Sequence, residues 1–116
     1  MTIQRIESGT RMSKAVVHGD TVYLAGQVAQ QAASGSVAEQ TTDILAIIDG
    51  FLKQAGTDKT KLLSANIWLT DIRTFNEMNA VWDAWLAPGC APARATVEAK
   101  LASPNLRVEI AVIAAL

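Results

Sequence analysis

The sequence predicts a mixed α+β fold, in which a sheet of about five to six strands carries two helices on one face. Hydrophobic residues make up 50% of the 116 residues, which is enough for one core, so we predict a single domain over residues 1–116. Strand-like and helix-like segments alternate in the order ββαβαββ. Two helices can cover only one face of such a sheet, so we expect copies of the chain to bury part of the other face.

The first two predicted strands form a β-hairpin. Lys14–His18 and Thr21–Gln27 are rich in β-branched and apolar residues, and the Gly19-Asp20 dipeptide between them favours a tight turn. A polar loop, Gln30–Gly35, then leads to the first helix.

The first helix has a clear start and a clear end. Ser36 and Glu39 have the spacing of a capping box, and apolar residues follow at helical intervals. The helix is predicted to run to about Gln54, with Gly56 ending it.

A third strand and a second helix follow. Lys61–Thr70 is predicted to be a strand with the alternate residues from Leu63 to Leu69 on one side. Thr74 and Glu77 have the spacing of a second capping box, and the helix that they begin is expected to end at Pro88-Gly89. Its two tryptophans are expected to belong to the core.

The chain is predicted to end in two further strands. Ala93–Leu101 alternates strictly, so that one face carries polar side chains and the other apolar ones. Leu106–Ala114 is apolar apart from Arg107 and Glu109, and such a strand is expected to be covered on both sides.

Composition narrows the classes of function. The net charge of -1 and the pI near 5.7 provide no basic field for a phosphate backbone, so we expect no nucleic-acid partner. One cysteine and one histidine fall short of the usual zinc ligand set and exclude an intrachain disulfide. No apolar run or N-terminal pattern addresses the chain to a membrane or for export, so we expect a cytoplasmic protein.

Arg94 is the first candidate for a site. It lies two residues after Pro92, at the start of a predicted strand, where a guanidinium could grip a carboxylate with its planar fork. A surface arginine or one arm of an ion pair is the simpler interpretation. Position alone leaves both open.

Glu109 and Asn79 are weaker candidates. Glu109 interrupts an apolar strand, where a carboxylate is rare unless it is paired or faces a cleft. It could form an ion pair with Arg107 or Arg94, or exchange protons with a water molecule in a cleft. Asn79 lies beside the apolar Met78 in the second helix, where it could orient a ligand or simply face solvent.

Two C-terminal segments resemble the signature of the Rid family, also called YjgF/YER057c/UK114. They are Ala91–Glu98, with the sequence APARATVE, and Val108–Ala114, with the sequence VEIAVIA. The segments Tyr23–Gln27 and Met78–Ala80 add weaker matches, so the resemblance covers essentially the whole chain. The stretch Arg11–Ser13, together with the sequence WDAW in the second helix, looks more like the YoaB-type branch.

The resemblance implies a chorismate-mutase-like fold and a homotrimer with pockets at the subunit interfaces. It implies an enamine/imine deaminase that hydrolyses substrates such as 2-aminoacrylate to 2-keto acids and ammonia, with no metal or organic cofactor. By position, Arg94 would hold the substrate carboxylate and Glu109 would hold or activate water. Asn79, Gly26 and Thr96 would line the pocket.

Two positions depart from the best-characterised members. Met12 and Ser13 lie where those proteins carry a tyrosine, so the resemblance implies that Ser13 is a substrate-binding residue. Thr96 stands where they carry a cysteine. The substrate is therefore open, and so is the choice between an enzyme and a non-catalytic protein that binds or senses a small carboxylate such as a 2-keto acid. A ribonuclease or translation inhibitor, or a purely structural protein, are further alternatives.

Overall fold

A seven-stranded mixed sheet and two α-helices make up the fold in a computed structural model that describes residues 1–116. The strands are β1 (Ile3–Ser8), β2 (Ser13–His18), β3 (Thr21–Leu24), β4 (Gln27–Val28), β5 (Leu62–Leu69), β6 (Ala93–Glu98) and β7 (Val108–Ala115). The helices are α1 (Val37–Ala55) and α2 (Phe75–Trp85). The predicted α+β class, with two helices and a mixed sheet, is confirmed.

The strand order across the sheet is β1-β2-β3-β7-β5-β6, and β4 also pairs with β7. All neighbouring strands are antiparallel except β5 and β6, which are parallel and connected through α2. The predicted hairpin is confirmed, because β2 and β3 pair around a turn in which Gly19 has a φ of 63°. The centre of the sheet is β7, and β6 is an edge strand.

Two strands were not predicted from the sequence. In β1 only Ile6 is buried, because this edge strand reaches beyond the core and so has no regular apolar alternation. The other, β4, has two residues, which is too short for a pattern to be recognised. The sheet therefore has seven strands rather than five to six.

The first helix follows the prediction. Ser36 Oγ accepts a 3.1 Å hydrogen bond from the Glu39 N–H, and a Glu39 carboxylate oxygen accepts a 2.9 Å bond from the Ser36 N–H. The helix ends at Ala55, followed by Gly56 in the left-handed conformation. Neither α-helix is long and apolar enough to span a bilayer.

The second capping box was predicted wrongly. The Thr74 hydroxyl donates to the Asp71 carbonyl at 2.7 Å and does not cap α2. The Glu77 carboxylate instead accepts from the Ala38 N–H in the first turn of α1, at 2.9 Å. The short 3-10 turn at Ile72–Thr74 displaces Thr74 from the capping geometry, and Glu77 joins the two helices.

The core lies between the helices and one face of the sheet. In β7 the alternate residues Val108, Ile110, Val112 and Ala114 are buried on this face. One prediction for β5 fails here, because a register shift between Leu62 and Ser64 leaves Leu63 exposed and buries Leu62. A side chain at the shift does not follow the alternation of the rest of the strand.

The opposite face, called here the open face, carries no helix. It presents apolar side chains to solvent, including Tyr23 at 46% exposure and Val97 at 49%. Val97 belongs to the apolar side of β6, so the polar side of that strand, with Arg94 and Thr96, is the one that shares a face with the core residues Ala65 and Ile67.

Candidate functional site

Arg94 projects from the edge strand β6 toward α2. Its register opposite Ala65 places it on the helix-covered face, and its side chain is half-buried. The Nη1 atom donates a 2.7 Å hydrogen bond to the side-chain oxygen of Asn79. Two predicted site residues, on β6 and α2, are therefore in direct contact.

Two aromatic rings flank the Arg94 guanidinium. Its Cζ atom lies 5.7 Å from the centre of the Phe75 ring and 5.4 Å from that of Trp82, within the range of a cation–π contact. Trp82 is buried, so it belongs to the core as predicted and also contacts Arg94. The two rings and Asn79 restrict the orientation of the planar guanidinium.

Arg94 has no acidic partner within the chain. The one ion pair joins Arg73 to Asp71 at 2.9 Å. A guanidinium has five N–H donors, and the bond to Asn79 uses one of them. The arrangement leaves the remaining donors for a ligand and excludes the interpretation of Arg94 as one arm of an ion pair within this chain.

Thr96 lies two residues after Arg94 on the same side of β6, opposite Ile67. Its hydroxyl oxygen is buried and makes no hydrogen bond within the chain. A buried hydroxyl is usually satisfied, because leaving it unpaired costs about 1–3 kcal/mol. Its position places this polar group on the same strand and the same face of the sheet as Arg94.

Glu109 projects from the open face. Its cross-strand neighbours are Trp68 of β5 and Val28 of β4, and the residues on either side of it in β7 are buried in the core. Neither Arg107 nor Arg94 forms an ion pair with it. Glu109 instead lines a cavity of about 240 Å³, together with Trp68 and the segment 99–102. Of the two interpretations of this carboxylate, the structure agrees with a cleft.

A β-bulge brings Gly26 against the Glu109 carboxylate. The chain advances four residues from Tyr23 to Gln27, while the partner strand advances three from Ile113 to Ile110. One extra residue bends the chain here, and bulges of this kind often lie beside functional sites. A Cβ atom added to Gly26 would collide with Glu109 Oε2 and lie 2.9 Å from its Cδ. The carboxylate therefore occupies space that only glycine leaves open.

Buried Gln27 braces this bulge. Its side-chain amide donates a 2.9 Å hydrogen bond to the Ala25 carbonyl, and the Ala25 N–H donates to the Lys14 carbonyl at 2.9 Å. The chain at Ser13 thus runs beside the bulge, and the Ser13 hydroxyl donates to Ser8 Oγ at 3.1 Å. No hydrogen bond joins Ser13 to either Arg94 or Glu109.

The predicted residues therefore form two separate half-sites. Arg94, Asn79 and Thr96 lie on the helix-covered face, whereas Glu109 and Gly26 lie on the open face. The Cα atoms of Arg94 and Glu109 are separated by two strand spacings across the sheet and by three residues along the strand. The distance between these atoms is therefore about 14 Å. One chain does not bring its own Arg94 and Glu109 to the same small ligand.

Three aromatic contacts were missed from the sequence. Phe75 and Trp82 precede and follow Asn79 at helical spacing, which could have indicated a shared face with it. Trp68 alternates with the buried residues of β5, so its place on the open face could have been inferred, but its pairing with Glu109 depends on the order of the strands. No group of three or more His, Cys, Asp or Glu side chains comes together that could hold a metal ion.

Comparison with known proteins assigns the chain to a family. A family model described as Endoribonuclease L-PSP matches residues 2–116. The chain belongs to this family. Its relatives include the RutC family protein YoaB of Escherichia coli strain K12, which is 42% identical over 99% of each chain, so the predicted YoaB-like resemblance is confirmed. A solved member of the YjgF protein family from Neisseria meningitidis is 45% identical, with a TM-score of 0.95 over 99% of this chain and 95% of that one.

A more distant relative carries the name of an enzyme. The human protein called 2-iminobutanoate/2-iminopropanoate deaminase is 32% identical over 88% of this chain and 77% of its own length. YoaB and the Neisseria protein carry family names only. Membership of the family is therefore established, whereas the reaction is a separate question.

Proposed function

We propose that the protein hydrolyses imines of 2-amino acids, and the enamines that tautomerise to them, to 2-keto acids and ammonia. The observation that carries the proposal is the Arg94 guanidinium, oriented by Asn79 between two aromatic rings and without an acidic partner in the chain. Such a fork suits a small carboxylate. The name of the human relative, 2-iminobutanoate/2-iminopropanoate deaminase, supports the same substrate class.

The reaction requires few groups. Water adds to the imine carbon, and the tetrahedral adduct expels ammonia, so that the C=N bond is replaced by C=O and the nitrogen leaves with the two hydrogens of the water. Glu109 would take a proton from the attacking water and pass it to the leaving nitrogen. Arg94 would hold the carboxylate that is bonded to the reacting carbon and thereby fix its position. Because imines hydrolyse in water unaided, a modest reduction of the barrier is sufficient.

The two half-sites would meet between copies of the chain. The carboxylate of the substrate is bonded to its imine carbon, so Arg94 and Glu109 must both contact one small molecule. Within one chain they lie on opposite faces of the sheet, which prevents this. We propose a homotrimer, in which Arg94 of one protomer faces Glu109 of its neighbour. The exposed apolar side chains on the open face support this assembly, because a large apolar patch on a protein surface usually marks an interface with another molecule.

The test compares imine hydrolysis by the wild type, Arg94→Ala and Arg94→Lys. Imines are generated with an amino-acid oxidase, and release of 2-keto acid is followed in the first seconds. We expect loss of most activity in Arg94→Ala and partial activity in Arg94→Lys, because lysine keeps the charge but lacks the fork. Arg73→Ala is the matched control, since the Arg73 side chain is 88% exposed and its ion pair with Asp71 lies on the surface. Full activity in Arg94→Ala would contradict the proposal.

A non-catalytic carboxylate-binding protein is the second candidate. The observation that favours it is that one chain holds a complete Arg94 half-site but keeps Glu109 on the other face. It predicts that 2-keto acids raise the melting temperature of the wild type and not of Arg94→Ala, without any turnover of imines.

RNA is tested as a separate substrate because of the name of the family model. RNA cleavage that falls in Glu109→Gln would favour a ribonuclease.

A further inference from the structure

Trp68 forms one wall of the cavity that Glu109 lines. The two residues are direct cross-strand partners of β5 and β7, and both lie on the open face. Cβ atoms of such partners lie about 4.5–5.5 Å apart, so the indole stands beside the carboxylate. Trp68 is half-buried, and its ring contributes the largest side chain of the cavity lining.

The other side of Glu109 offers much less bulk. Its second cross-strand partner is Val28, and Gly26 has no side chain at all where it meets the carboxylate. The remaining lining of the cavity comes from the segment 99–102, in which two alanines flank the longer side chains of Lys100 and Leu101. Among the strand neighbours of Glu109, Trp68 is therefore the one that limits the size of a group held next to the carboxylate.

We infer that Trp68 limits the substrate to imines with small apolar side chains, an inference that rests on the proposed function. The water that Glu109 holds attacks the imine carbon, and the substrate side chain is bonded directly to that carbon. The substrate side chain must therefore lie within reach of the Trp68 indole. An indole directly beside the carboxylate leaves little room for a substrate side chain, which favours the imines of alanine or 2-aminobutyrate over those of leucine or phenylalanine.

The experiment measures kcat/KM for the imines of alanine and leucine, each generated with an amino-acid oxidase, in the wild type, Trp68→Phe and Trp68→Leu. We expect the leucine-to-alanine ratio to rise roughly tenfold or more in Trp68→Leu, with an intermediate rise in Trp68→Phe, since one methylene in an apolar pocket changes discrimination by about 10–200-fold. Trp85→Leu is the matched control. Its indole donates to Asp49 at 3.0 Å and packs against Trp82 on the helix-covered face. Any effect transmitted to Arg94 would change both kcat/KM values alike, so the ratio should not change.

The outcomes separate the two proposals. Hydrolysis in both Trp68 variants with an unchanged ratio overturns the role of Trp68 and leaves the proposed function intact. A wild type that hydrolyses no imine overturns both. Melting curves identify any variant that fails to fold, and Trp68→Phe, which keeps an aromatic ring in the sheet, then decides the question alone.

Discussion

Arg94 and Glu109 project from opposite faces of one sheet, on strands that are separated by β5. The two residues lie 15 residues apart in the sequence, near the C-terminus, and this short separation favours a position on neighbouring strands. The parallel pairing of β5 with β6 inserts β5 between them instead. Under the proposed function, this relationship requires a second copy of the chain at the site, because one chain cannot bring both residues to the same imine.

Mixing two inactive variants tests that arrangement. Arg94→Ala and Glu109→Gln are each expected to lose most imine hydrolysis. If the half-sites meet between protomers, co-refolding equal amounts should restore about one quarter of wild-type activity, since a random assembly gives that share of interfaces both intact residues. Mixing without refolding is the control. No recovery after verified subunit exchange would show that Arg94 and Glu109 do not share a site between protomers.

Gly26→Ala is expected to displace the Glu109 carboxylate. The added methyl would collide with Oε2, and a displacement of about 1 Å in a reacting group can reduce the rate roughly 10²-fold. We expect kcat to fall while 2-keto acid binding, measured by thermal shift, changes little, because the added methyl meets Glu109 and does not contact Arg94, which holds the carboxylate in the proposed site. In Gly50→Ala the methyl meets nothing within 4 Å, and this control should be active and more stable by about 0.5–1 kcal/mol. Wild-type kcat in Gly26→Ala would contradict the role of the contact.

Local patterns predicted the fold where the chain obeys local rules. The Ser36–Glu39 box, the glycine at 56 and the Gly19-Asp20 turn depend on neighbouring residues only, and all three are present as predicted. The Thr74–Glu77 box fails because its glutamate finds an N–H of the other helix, 39 residues away. A contact over that distance cannot be inferred from spacing.

The sequence indicated which residues belong to the candidate site but not how they are arranged in space. Family resemblance singled out Arg94, Asn79 and Glu109, and the bond between Arg94 and Asn79 gives the first two a common location. The register of three strands decides that Glu109 faces away from them. Register depends on tertiary pairing, so neither the two half-sites nor the pairing of Trp68 with Glu109 could be derived from the pattern of one strand.

Asn79 should affect substrate binding more than the chemical step. Its oxygen accepts one hydrogen bond from Arg94, and a bond to a charged group contributes about 1.5–3 kcal/mol. We expect Asn79→Ala to raise KM roughly tenfold with a smaller change in kcat. Asn79→Asp should raise KM further, because a carboxylate at this position competes with the substrate for the guanidinium. Equal KM values in the wild type and both variants would show that Asn79 does not orient Arg94.

Gln40 is expected to be essential for stability. This fully buried amide donates to the Gly35 and Asn105 carbonyls at 3.1 and 3.0 Å and accepts from the Arg107 N–H at 2.9 Å. Gln40→Ala leaves the Arg107 N–H unpaired, whereas the Gly35 carbonyl keeps its bond from the Arg107 side chain and the Asn105 carbonyl keeps its bond from the Ser34 N–H. The free energy of unfolding should therefore fall by about 1–3 kcal/mol. Denaturant unfolding at fixed protein concentration measures this. Gln54→Ala, an exposed position of the same helix, should change the value by about 0.5 kcal/mol or less.

The capping box of α1 should make stability depend on pH. The Ser36 backbone N–H, followed by the Ser36 side chain, holds the pKa of Glu39 below its ordinary value of about 4.3. A carboxyl with a depressed pKa contributes stability that is fully present above about pH 4.3 and is lost as the pH falls through the folded-state value. The melting temperature of Glu39→Gln should therefore lie below that of the wild type at pH 7, and the two should converge toward pH 3. The exposed Glu7, whose carboxylate makes no hydrogen bond, provides the control Glu7→Gln. A gap between Glu39→Gln and the wild type that is the same at pH 7 and pH 3 would show that the charge of Glu39 does not contribute to the cap.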